Sequence, residues 1–113
     1  MVELKLRSGR TFDKIEGNVV AEKGEFEIRG MIAGNLETKN NAYVVLHGMI
    51  CGTLFALETS RVIIHGMVTD SLVIDGGDVE VYGMICKDVT RKKGKVWVDK
   101  NAKITGRFED SYE

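Results

Sequence analysis

Proline is absent from this 113-residue chain, and so is any long apolar run. Without proline every backbone N–H stays available to a hydrogen-bonded ladder, so nothing rules out extensive sheet. No stretch approaches the ~20 apolar residues that cross a bilayer as a helix, so no membrane span is expected. The opening "MVELKLRSGR" alternates charged and aliphatic residues and lacks the apolar core of a signal peptide. Cysteine occurs only twice, in neither a CxxC pair nor a disulfide framework, which predicts a reducing, cytoplasmic setting. Charge of one sign is missing too: 16 Lys+Arg stand against 17 Asp+Glu. No basic field exists to draw nucleic acid or an anionic membrane surface.

What is present is globular: 43% hydrophobic and 29% charged residues, enough for one domain with a modest core. Thirteen glycines recur at regular places. The phrase "AYVVLHGMICG" (Ala42 to Gly52) returns as "SRVIIHGMVTD" (Ser60 to Asp70) and again as "DVEVYGMICKD" (Asp78 to Asp88). Aligned on V-x-[ILV], the pairs Phe26/Ile28, Val44/Leu46, Val62/Ile64, Val79/Val81 and Val96/Val98 start 18, 18, 17 and 17 residues apart. A period near eighteen over five copies is the signature of a solenoid.

Inside each copy the period is two. Val44, Leu46, Ile50, Leu54 and Ala56 share one parity, while Tyr43, His47, Met49, Cys51 and Phe55 share the other. Such alternation predicts strands with the even set facing in. Two further columns agree: Ile15, Ile32, Ile50, Val68, Ile85 and Ile104; and Val19, Leu36, Leu54, Leu72 and Val89. The segments "LETKNN", "LETS", "IDGG" and "TRKKG" look like turns that absorb the one-residue differences in period. The expected fold is all-β: a single-stranded parallel β-helix of about six coils, with three short strands per coil. The hexapeptide pattern of left-handed helices is not met, so a right-handed helix is expected. The chain divides into an N-terminal cap strand (1–13), regular coils (14–108) and a short acidic tail (109–113).

The repeats "VVLHGMICGTLFA" (Val44 to Ala56), "EIRGMIAGNLET" and "IEGNVVA" resemble those of bactofilins, the polymer-forming cytoskeletal proteins of bacteria. The resemblance covers about residues 15 to 108. It implies a compact right-handed β-helix whose end coils stack head to head into filaments without nucleotide. The pattern departs from the family at Asp70 and Lys87, which stand where the second glycine of the repeat belongs. Lys95, Lys100, Lys103 and Arg107 also charge the last coil, a device that blunts an exposed edge.

Chemistry-bearing residues are few. His47 and His65 fall in one outward column, but two imidazoles are too few for a metal centre. Cys51 and Cys86 lie two coils apart with Thr69 between them, about 9.6 Å along the axis, too far for a bridge. "TDSLVIDGGDVE" gathers Asp70, Asp75, Asp78 and Glu80, yet no long loops exist to build a cleft around them. The expectation is a non-enzymatic protein with no cofactor and no metal. The distinctive surface is apolar: Met31, Met49, Met67 and Met84 form an outward ladder, with Val45, Ile63 and Trp97 in a second and Phe55 and Val73 in a third. Contiguous apolar patches mark interaction surfaces. The partner is therefore a second copy of the chain or another protein. Leu4, Leu6, Ile104 and Phe108 are the candidates for stacking through the end coils. Val45, Met49, Phe55, Ile63, Met67 and Trp97 are the candidates for docking through a side face, as an immunity protein would dock on a toxin.

Overall fold

The computed structural model describes residues 3–5, 9–11 and 14–110. Fifteen strands and no helix occur among them, in chain order β1 (Glu3–Lys5), β2 (Gly9–Thr11), β3 (Lys14–Ile15), β4 (Asn18–Ile28) and β5 (Met31–Ile32). There follow β6 (Leu36–Leu46), β7 (Met49–Ile50), β8 (Leu54–Leu57), β9 (Arg61–Ile64) and β10 (Met67–Val68). The last are β11 (Leu72–Val81), β12 (Met84–Ile85), β13 (Val89–Val98), β14 (Lys103–Ile104) and β15 (Phe108–Asp110). Every pairing is parallel, as a solenoid requires, since each strand meets its equivalent one coil later.

Two sheets wrap the core. The two-residue strands stack in the order β14-β12-β10-β7-β5-β3, six rungs that enclose five complete turns. The expected coil count of six is thereby corrected to about five turns: the sixth rung closes the stack without starting another circuit. The remaining nine strands form the second sheet, which bends around the rest of each coil. Registers match the repeat columns residue for residue: Val44 faces Val62, Val62 faces Val79, and Val79 faces Val96. Ile15, Ile32, Ile50, Val68, Ile85 and Ile104 stack in one line. From Ile32 to Ile85 this line is fully buried, as are Leu36, Leu54 and Leu72 in the next. Like aliphatics at ~4.8 Å spacing fill the interior continuously.

Strands and turns are distributed differently from the expectation. "LETKNN", "IDGG" and "TRKKG" lie inside β6, β11 and β13, not between strands. The chain turns there by a bulge within continuous sheet, and the register slips at these points. Asn40 and Asn41 hold φ of 52° and 68°, a left-handed conformation that asparagine tolerates better than most residues. Gly76 takes the same role in the next bend but one, at φ 100°. Each coil therefore has two long sides joined by a bulge and one short side of two residues. At Glu58 and Thr59 the bend does break the strand, separating β8 from β9. There Ser60 Oγ donates to the Leu57 carbonyl at 2.6 Å, and the Thr38 hydroxyl donates to Ser60 Oγ at 3.0 Å. This satisfies the two polar residues of the core.

The N-terminal segment belongs to the stack. Leu4 pairs with Val19 and Arg10 with Glu27, so β1 and β2 both lie on β4.

Candidate interaction surfaces

The two ends of a parallel solenoid are unavoidable: the first and last coils have neighbours on one side only. Among the described residues β1 and β2 pair only with β4, and β14 and β15 pair only with β12 and β13. Residues Lys95 to Val98 of β13 pair with β11 beneath them and, among the described residues, with no strand above. The column positions of this last coil are consequently uncovered. Val96, Val98 and Ile104 are half-buried where their counterparts one coil earlier, Val79, Val81 and Ile85, are sealed, and Phe108 is 46% exposed. Exposed Lys92, Lys93, Lys95, Lys100, Lys103 and Arg107 surround this apolar end. Of the end-coil candidates, Ile104 and Phe108 thus line the open C-terminal end, and Leu4 lies in the first coil through its pairing with Val19. Leu6 lies outside the described residues.

The side-face candidates point outward as expected but lie on three separate columns. Met49 and Met67 face each other on adjacent rungs, between Met31 and Met84. Val45 and Ile63 are also neighbours, but Glu80 stands between Ile63 and Trp97. Phe55 pairs with Glu37 and Val73 on a third face. No continuous apolar stripe joins the six. Trp97, at 51% exposed, is the most exposed large hydrophobic residue described.

A ring ladder runs beside the methionines. The His47 and His65 rings stack at 5.2 Å with planes 8° apart, and Tyr82 continues the stack at 5.0 Å from His65. Trp97 closes it, tilted 57° onto Tyr82. Between the methionine and ring ladders lies an open groove of about 710 Å³, floored by Gly30, Gly48, Gly66 and Gly83. Glycine is required at Gly66 because a Cβ there would overlap the carbonyl oxygen of Gly48 in the coil below. The repeated G-M dipeptide is thus a corner at which a side chain would run into the backbone of the coil below.

One polar cluster crosses coils. Glu80 accepts from Arg61 at 2.7 Å and from the Tyr82 hydroxyl at 2.7 Å. The Arg61 hydrogen bond holds the Glu80 carboxyl below the usual carboxylate range, and the Tyr82 hydroxyl adds to this. Reciprocally, Glu80 raises Arg61 and Tyr82 above their ordinary values. Asp70 meets Lys87 at 3.7 Å and Asp75 stands in the bulge beside Leu57, whereas Asp78 and Glu80 stay together on one face of β11 and line one cavity. Cys51 and Cys86 are free thiols, and the Cys51 thiol lies 3.3 Å from Met31 Sδ.

The sequence reading missed a second ladder of small polar residues, Asn18, Asn35, Thr53, Ser71 and Asp88. Each sits one place before the Val19 column, a regularity visible in the repeat. The side chains of Asn18, Asn35, Ser71 and Asp88 accept backbone N–H groups of the following coil. No family model matches this chain, and no curated protein or solved structure does so either. No helix among the described residues is long and apolar enough to cross a membrane.

Proposed function

We propose that this protein is a structural, non-enzymatic β-solenoid that associates end to end with copies of itself, as bactofilins do, in the reducing cytoplasm. The observation that carries the reading is the open C-terminal end: an unpaired strand edge at Lys95–Val98 above half-buried Val96, Val98 and Ile104. Solenoids that stay monomeric cover such ends with a polar cap or a break in the edge. Lysines and Arg107 charge this last coil, yet they leave Val96, Val98 and Ile104 only half-buried. Here a further coil in the same register would extend both sheets and bury Phe108. The basic residues around this end oppose the meeting of two C-terminal ends, so the favoured contact joins the C-terminal end of one copy to the N-terminal end of the next. A contact between unlike ends repeats without closing and builds a filament. The bactofilin resemblance of the repeats supports self-association through the end coils, although it implies a head-to-head contact and the charges here favour unlike ends.

The direct check is Phe108→Glu, which places a charge on the exposed end without disturbing the sealed interior. Sedimentation velocity on this variant is expected to show loss of the large species formed by the natural chain, with unchanged circular dichroism. Equal self-association in the variant would remove the C-terminal end from the contact. A second reading, docking of another protein on the side face, rests on Trp97, whose indole is half exposed beside Tyr82. It becomes the better account if the natural chain is monomeric.

A further inference from the structure

The groove between the methionine and ring ladders has a donor set that self-association does not use. Its lining holds four thioethers and two imidazoles, no carboxylate, and Lys103 as its single charged residue. His47, His65 and Tyr82 stack face to face, so the ring faces between them are already occupied. An aromatic or sugar ligand finds no room between these rings. Open to a ligand are ring edges, carrying imidazole nitrogens, and the sulfurs of half-buried methionines. Hard cations need carboxylate or carbonyl oxygens, whereas thioether and imidazole together select a soft cation.

We infer that this groove binds a soft monovalent cation, Cu(I) or its redox-inert counterpart Ag(I), through the Met49 and Met67 thioethers and one imidazole, His47 or His65. Met49 and Met67 are register partners on adjacent rungs, about 4.8 Å apart at the backbone. Two sulfurs sharing one metal lie no farther apart than twice the metal–sulfur bond, about 4.6 Å if that bond is as short as the ~2.3 Å of zinc–thiolate. The three rotatable bonds of methionine absorb the small difference. A single imidazole completes the set, because rings parallel within 8° cannot both aim an in-plane lone pair at one ion. The result is a three-coordinate S₂N site of low total charge, which the nearby Lys103 ammonium tolerates better for a monovalent than for a divalent ion. Among the described residues no cluster of three His, Cys, Asp or Glu competes for the metal. The other soft donors of the groove are the Met31 and Met84 thioethers, and the Cys51 thiol faces Met31.

The test uses the full chain carrying Cys51→Ser and Cys86→Ser, so that thiols cannot supply the binding. Ag(I) is titrated directly, and Cu(I) is added under ascorbate against the competing chelator bathocuproine disulfonate. The expected result is one ion retained per chain, with shifts confined to the Met49 and Met67 methyl resonances and the histidine ring resonances. Met49→Leu with Met67→Leu, which preserves side-chain volume, is expected to weaken retention by at least about tenfold. His47→Gln with His65→Gln is expected to do the same, and equimolar Zn(II) is expected not to displace Ag(I). The inference is overturned if the thiol-free chain retains no ion against the chelator. It is equally overturned if the leucine variant binds as tightly while folded, or if Zn(II) displaces Ag(I).

Discussion

The side-chain oxygen of Asn35 accepts the backbone N–H of Thr53 at 2.8 Å, while the Asn35 N–H is itself donated to the Asn18 side chain at 2.9 Å. Asp88 repeats the bond at the other end of the stack, accepting from the Arg107 N–H at 2.8 Å. This ladder ties coils together at the corner where the two sheets separate and backbone-to-backbone pairing thins out. Asn35→Ala is expected to destabilise the fold by about 1–2 kcal/mol, since Thr53 N–H loses its acceptor in a half-buried place. Asn101→Ala, on an exposed bend, is expected to cost less than about 0.5 kcal/mol. Urea unfolding of the two variants compares them directly.

The second expectation concerns close approach. At Gly66 a methyl group would overlap the Gly48 carbonyl, which accepts the Met67 N–H at 3.0 Å. Gly66→Ala must therefore push two coils apart at this corner. Strain of this kind costs about 1–3 kcal/mol, and thermal unfolding is expected to show a clear drop in midpoint. An unchanged midpoint would mean that the coils are more loosely stacked than described.

Neighbouring residues on one rung give the sharpest test of which side faces in. Met49 is half-buried on the surface, whereas Ile50 is fully buried. Met49→Lys is expected to leave the circular dichroism spectrum intact and to cost about 1 kcal/mol. Ile50→Lys would bury an unpaired ammonium and is expected to prevent folding altogether. Tolerance of the second change and failure of the first would invert the assignment.

The Glu80 cluster predicts a pH dependence. Its carboxyl titrates below the ordinary range in the folded state, chiefly because Arg61 hydrogen-bonds to it. A depressed folded value adds stability above the unfolded pKa of about 4.3, and that stability disappears as pH falls through the folded value. The gap in melting temperature between the natural chain and Glu80→Gln is thus expected at pH 7 and expected to shrink toward pH 3. With Arg61 half exposed and Glu80 at 23%, solvent screens the pair and the gap is small. A gap that widens in acid would contradict the assignment.

Much of the fold was legible because its physics is local and repeated. The Ile15–Ile104 and Val19–Val89 columns follow from period-two alternation laid over a repeat of 17 or 18, and they needed no knowledge of distant contacts. The corners were less legible. "LETKNN" and "DGGD" have turn composition, yet the sheet runs through them, because left-handed Asn40, Asn41 and Gly76 bend a strand without ending its ladder. Composition reports a change of direction and does not report whether hydrogen bonding stops. The outward residues were the least legible. Val45, Ile63 and Trp97 share a column, but Glu80 interrupts it, a break already present at the middle residue of V-x-[ILV] that the sequence reading passed over. The grouping of Met49 and Met67 with His47 and His65 into one groove depends on how sharply the chain turns at Gly48 and Gly66.

End-to-end association is the central claim, and mass in solution tests it most directly. Light scattering on the purified natural chain, paired with negative-stain microscopy in the absence of nucleotide, is the decisive measurement. The open end coils predict a mass that climbs with protein concentration and long unbranched filaments one solenoid wide. A monodisperse monomer across the whole concentration range, with no filaments, would contradict the claim.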